Sequence, residues 1–152
     1  MEAIYEPIKI GNPKVFIVGM SPNTQRKTQK TRKVWEGNRS GDLMQKAIQG
    51  LTDLYLTNIS NVYSTEELTP EMIASGLDNL ANDIIKYEPV KILLFGEFAQ
   101  KKFKKFFKTR EEINNAEVIS LLHPSYIVRF NKDQKRWIDD VRSKIQINVN
   151  QI

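Results

Sequence analysis

Four short apolar runs recur along this chain, separated by stretches of helical periodicity: Val15-Phe16-Ile17-Val18-Gly19, Leu54 to about Ile59, Lys91-Ile92-Leu93-Leu94-Phe95-Gly96, and Val118-Ile119-Ser120-Leu121-Leu122. Runs this short and this continuously apolar suit strands covered on both faces, as in a parallel sheet. Parallel strands need crossovers, and helix-like segments fill the intervals. Thr69-Pro70-Glu71 opens one of them with a capping residue and proline at the first helical position, and Ile73, Leu77, Leu80, Ala81 and Ile84 share a face as far as about Tyr87. Ala99, Phe103, Phe106 and Phe107 turn the next helix inward, with Lys101, Lys102, Lys104, Lys105 and Lys108 mostly on its solvent side. Ser40 is placed to cap a helix running to about Gly50, and Trp137, Ile138, Val141 and Ile145 mark a last one from about Lys132 to Ile147. The pattern predicts an α/β fold, a three-layer α/β/α sandwich around a four-stranded, mainly parallel sheet, with residues 1–152 as one domain. Residues 1–14 have no clear period and include Pro7, Gly11 and Pro13, so they read as a leader on the domain edge.

Composition narrows the function classes. The chain has no cysteine, which excludes disulfides, thiolate zinc sites and cysteine-ligated iron–sulfur clusters, and suits a reducing, cytoplasmic setting. No apolar stretch is long enough to cross a membrane, and the short acidic N-terminus does not read as a signal peptide. Neither a Walker loop nor a Gly-x-Gly-x-x-Gly fingerprint is present, which counts against a small-nucleotide enzyme. A net charge of +5 tilts toward a polyanionic partner. The expectation is a monomer with neither metal nor cofactor.

Polar residues at the ends of the apolar runs are the functional candidates, because open α/β sheets bind ligands beyond the carboxyl ends of their strands. Met20-Ser21-Pro22-Asn23 follows the first run, Asn58 closes the second, and His123 leaves the fourth. His123 is the only histidine, and Pro124 fixes the backbone angle after it. A lone histidine is usually structural. Here it is followed by Tyr126, Ile127, Val128 and Phe130, large apolar residues in what should be a loop, with Arg129 among them. Apolar side chains in an exposed loop often have a partner to enter. Between Thr24 and Lys33 lies a basic stretch with no apolar face, carrying Arg26, Lys27, Lys30, Arg32 and Lys33. It reads either as a solvated loop or, beside the first strand, as a track for phosphates. Trp35 follows among turn residues, suited equally to a core position or to stacking.

Taken together, these segments resemble the uracil-DNA glycosylase superfamily. Gly19-Met20-Ser21-Pro22-Asn23 is similar to its first motif, and Trp35 to Leu43 to the aromatic and Ser-Gly-Asp-Leu segment that follows it. Leu56-Thr57-Asn58 resembles the strand whose asparagine reads the base, Leu93 to Ala99 the strand and glycine of the next unit, and His123-Pro124-Ser125 the second catalytic motif. The resemblance implies a monofunctional DNA glycosylase of base excision repair, acting on uracil or another deaminated or modified base flipped out of DNA. It implies that His123 hydrogen-bonds the departing base, that Ser21 positions the attacking water with help from Asn23 or Asp42, and that Asn58, Trp35 and Met20 line the base site. Ser125, Arg129, Lys30, Arg32 and Lys33 would contact DNA, and Ile127 would be the apolar wedge that replaces the extruded base. Members that excise uracil usually carry aspartate, asparagine or glutamate within the first motif, where Met20 and Ser21 stand here. That departure leaves a second reading, a DNA- or base-binding module of the same fold that is catalytically weak or inactive. No iron–sulfur cluster carries over.

Overall fold

Three apolar runs become central strands because both of their faces are covered. In the computed structural model, which describes residues 3–20, 34–35, 39–63, 68–113 and 115–146, every residue of β3 (Val15–Gly19), β4 (Leu54–Asn58) and β6 (Lys91–Phe95) is buried. They belong to a five-stranded sheet with β2 (Ile8–Ile10) and β7 (Glu117–Leu121), in the order β2-β4-β3-β6-β7. All neighbours are parallel except β2, which runs antiparallel to β4. The four expected strands are the parallel ones. The fifth, β2, comes from the segment read as a leader: three residues are too few to show a period, and its pairing is supplied by β4. Further, β1 (Ala3–Ile4) and β5 (Val62–Tyr63) form a separate antiparallel pair.

Strand side chains alternate between two cores. Val15, Ile17, Leu54, Leu56, Leu93 and Phe95 meet α1 (Arg39–Ile48), α4 (Pro124–Arg129) and α5 (Gln134–Ile145) through Met44, Ile127, Trp137 and Val141. On the other face Phe16, Val18, Tyr55, Ile92 and Leu94 meet α2 (Pro70–Tyr87) and α3 (Glu97–Phe107) through Leu80, Ile84, Phe103 and Phe107. These are the three layers expected. Buried Lys91, at the start of β6, donates to the carbonyls of Lys144 and Gln146, closing the C-terminal end of α5.

Local signals explain the boundaries. Thr69 caps α2 by accepting the Met72 N–H at 3.2 Å, with Pro70 behind it. Gly76 lets α2 lie directly on the backbone after β4, since a Cβ there would come within 2.0 Å of the Ile59 carbonyl. Ser40 lies inside α1 rather than ahead of it, because the helix already begins at Arg39. The segment after His123 is the short helix α4 and not a loop: Pro124 stands at its first position and the His123 side chain caps it. β7 ends at Leu121, two residues before the histidine, and α5 starts at Gln134 under an Asp133 cap rather than at Lys132.

From β3 the chain crosses to β4 on one side and then returns to β6 on the other. This reversal opens a crevice beyond the carboxyl ends of β3 and β6. A glycine stands at each of these ends, Gly19 closing β3 and Gly96 following β6.

Candidate active site

His123 reaches the crevice as the N-cap of α4, in extended backbone with φ −69° and ψ 141°. The Ser125 backbone N–H donates to its Nδ1 at 3.0 Å, and the Ser125 Oγ lies 2.7 Å from the same nitrogen. A ring nitrogen that accepts from a peptide N–H carries no proton, so the neutral ring holds its proton on Nε2. That leaves Nε2–H as a donor pointing away from the cap. Burial pushes the imidazole down to about 4, since the charged form would lose its hydration with no acidic partner among the described residues to replace it. At neutral pH the ring is therefore an uncharged donor.

Among the described residues, two neighbours contribute to that burial. Trp35 stacks on the imidazole with centroids 5.3 Å apart and planes at 28°. Gly96 supports its other end: a Cβ there would stand 3.2 Å from the His123 Cβ and 3.6 Å from Cδ2. Its φ of +93° adds a second reason for glycine. The Gly96 N–H and the Gln100 side chain both donate to the Leu121 carbonyl, at 3.0 and 3.2 Å, tying this turn to the end of β7. The sequence reading placed Gly96 at the end of a strand without seeing that it makes room for the histidine. A glycine directly after an apolar run was the available signal.

Trp35 is itself held from several sides. Its Nε1–H donates to the Thr57 carbonyl at 3.1 Å, its ring meets Phe95 edge-on at 5.9 Å, and Gln45 donates to its carbonyl at 3.2 Å. The indole lies over Gly19, where a Cβ would fall 2.6 Å from Trp35 Cζ2 and 2.6 Å from Asn58 Oδ1. Asn58, buried at the end of β4, is placed beside Gly19 by the parallel register. Its side-chain amide forms no hydrogen bond among the described residues and so keeps both a donor and an acceptor. Pairing continues past the strand end, with Ile59 N–H donating to the Gly19 carbonyl and Ser60 N–H to that of Met20, at 2.8 and 3.0 Å. The Met20 side chain is exposed.

His123, Trp35 and Asn58 are thus brought together at the crevice. Ser21, Asn23, Arg26, Lys27, Lys30, Arg32 and Lys33 lie outside the described residues. Ile127 is not the exposed side chain expected of a wedge: it is 4% exposed and packs in the core between α4 and its neighbours, because a helical turn carries it inward. The exposed apolar residues of this region are Leu122, Tyr126 and Phe130, at 57%, 42% and 56%. The Tyr126 and Phe130 rings lie 5.0 Å apart, one helical turn from each other, with the Lys132 ammonium 5.9 Å from the Tyr126 centroid. Arg129 is exposed on the same helix. Ser125, expected on a phosphate, instead engages His123. Asp42 is exposed on α1, in a groove of about 190 Å³ lined also by Arg39, Leu43, Lys46, Val128 and Gln134. The sequence reading did not single out Arg39 or Lys46, since nothing in their spacing marks the groove.

No curated protein matches this chain. Residues 8–146 match the family described as the Uracil DNA glycosylase superfamily, whose enzymes act on DNA and generally hydrolyse N-glycosyl bonds. The match runs from the first residue of β2 to the residue after α5, taking in the whole main sheet and every described helix. The chain belongs to the uracil DNA glycosylase superfamily.

Proposed function

We propose that this protein is a monofunctional DNA glycosylase, hydrolysing the N-glycosidic bond of uracil or another deaminated or modified base turned out of the stack. The observation that carries the reading is the neutral His123, its Nδ1 taken up by Ser125 and its Nε2–H without a partner among the described residues, at the crevice that buried Asn58 also borders. When the glycosidic bond breaks, the sugar gains oxocarbenium character and the base leaves with the bonding pair, its negative charge shared from the ring nitrogen onto a carbonyl oxygen. A neutral N–H aimed at that oxygen stabilises the charge as it develops, and losing one such donor typically costs about 10²–10³ in rate. The Asn58 amide, its donor and acceptor uncommitted among the described residues, pairs with the polar edge of the base. Ser21, helped by Asn23, holds the attacking water. The basic stretch from Thr24 to Lys33 follows the phosphates. On α4 the contact to the duplex falls to exposed Tyr126 and Phe130 with Arg129, rather than to Ile127.

One observation favours a second reading, a binding module of the same fold: the first motif carries Ser21 where a carboxylate or amide is usual. A panel of oligonucleotides, each carrying one altered base, separates the two when base release is followed under single-turnover conditions. Release of uracil or another deaminated base is the expected result. Binding to DNA without release from any member would replace the enzyme with the binding module.

A further inference from the structure

The groove between α1, α4 and the start of α5 takes no part in the chemistry at His123. It measures about 190 Å³, and Arg39, Asp42 and Lys46 of α1, Val128 of α4 and Gln134 of α5 line it together with buried Leu43. Arg39 and Lys46 are seven positions apart, close to two helical turns, so α1 carries both cations on one face, roughly 10 Å apart along its axis. Asp42 lies between them, three residues from one and four from the other, a spacing at which helical side chains meet. Neither pair closes: among the described residues the ion pairs are Lys91–Glu117, Lys101–Glu97, Arg110–Glu112 and Lys144–Asp140. Two exposed cations therefore stand without a counter-ion in a concave, polar site. We infer that this groove is a phosphate subsite, taking the backbone of the DNA strand that flanks the extruded base. This assignment rests on the glycosylase reading and deepens it, by saying where the flanking strand runs.

Position and charge both support it. In the crossover from β3 to β4, α1 begins at the carboxyl end of the sheet, and α4 follows the carboxyl end of β7, so both stand at the pole where the crevice opens. Val128 lines the groove, while Tyr126 and Phe130, two residues to either side, are exposed. The groove and the duplex contact proposed for α4 thus adjoin on one helix. α4 is about 9 Å long, which sets the groove within roughly three base steps of 3.4 Å of the aromatic pair. Arg129 and Lys132, also exposed and outside any ion pair among the described residues, continue the positive charge from the groove to that contact. A guanidinium forks onto two phosphate oxygens and an ammonium acts as a point charge, and the Gln134 amide adds a neutral donor. Asp42 opposes an anion here. One carboxylate against two cations leaves the net sign positive, and removing it should tighten the grip on DNA. That sign separates the subsite from a role for Asp42 in holding water, where its loss would slow base release and leave affinity alone.

A methylphosphonate scan tests the contact. Each duplex carries 2′-fluoro-2′-deoxyuridine, or the 2′-fluoro analogue of whichever base the panel shows to be released, the fluorine suppressing bond cleavage. A single neutral methylphosphonate is moved one linkage at a time along both flanks, and affinity is read by fluorescence anisotropy. For the wild type, one or two linkages near the target should weaken binding when neutralised. In Arg39→Gln/Lys46→Gln those same linkages should lose their effect while the others keep theirs. The salt slope of the double variant should flatten by about 0.9 for each cation that meets a phosphate, and Asp42→Asn should bind unmodified DNA more tightly than the wild type. All three side chains are exposed, so the variants should unfold at the wild-type temperature. Lys108→Gln, the same change of charge at the far end of α3, should leave the scan as it is. A scan in which no linkage depends on Arg39 or Lys46, or weaker binding by Asp42→Asn, would overturn the subsite. Base release from the panel with such an indifferent scan would remove the subsite and leave the glycosylase standing. A coupled scan in a protein that releases no base would do the reverse.

Discussion

At His123 two contacts have separate effects: Ser125 fixes which nitrogen bears the proton, and Trp35 with Gly96 keeps the ring uncharged by excluding water. The sign of the resulting pH dependence follows from the histidine's ordinary value of 6.5 and its folded value of about 4. Between these the unfolded chain binds the extra proton and the folded protein does not. The contribution of this residue to stability is therefore complete above about pH 6.5 and is lost as pH falls toward 4. On the proposed function the same neutrality would govern the reaction. Single-turnover base release should be flat across pH 6.5 and decline only near pH 4, where the ring charges. A rate that instead rises with acid through pH 6.5 would make the imidazolium the active form and contradict the neutral donor. The place of His123 beyond the end of a strand was legible in the sequence from its position after an apolar run. Its tautomer was not, because that depends on a backbone N–H two residues away in a helix that the sequence did not announce.

Among the elements, α2 and α4 differ in how far the sequence reveals them. In α2 a cap, a proline at the first position and five apolar residues in helical phase agree over 18 residues. α4 has six residues, less than two turns, so periodicity has too little length to register. Reading it as a loop left Ile127 free to be a wedge, whereas the helix turns Ile127 into the core and Tyr126 and Phe130 outward. Two substitutions test that division. Ile127→Ala should lower stability by about 2–4 kcal/mol, the usual cost of emptying a core site, with equal effects on paired and single-stranded substrates. Tyr126→Ala should leave stability nearly unchanged and reduce base release more from paired DNA than from single strands, where no stack has to be opened. Denaturant unfolding together with release assays on both substrates checks the pair; the reverse pattern would restore Ile127 as the wedge.

For the molecule as a whole, the parallel strands and three layers were readable because apolar runs and helical phases alternate cleanly along the chain. The edge strand β2 escaped notice because three residues paired only through β4 carry no pattern of their own. The candidate site was half legible. Asn58 closes β4 and His123 follows β7, both parallel strands of the main sheet, so fold logic alone places the two at its carboxyl ends. Trp35 enters from outside the strands and helices, and only the assembled structure shows it stacked on the histidine. The fold forms a crevice at a reversal of strand order and brings to it a neutral imidazole and an amide with no hydrogen bond among the described residues, the two groups that the proposed function assigns to the base. The most direct test is single-turnover base release by the wild type and by His123→Asn, which keeps a capping side chain for α4 but lacks the ring donor. With thermal stability and DNA affinity retained, the variant should release base about 10²–10³-fold more slowly. An unchanged rate in that folded, DNA-binding variant would contradict the role given to His123.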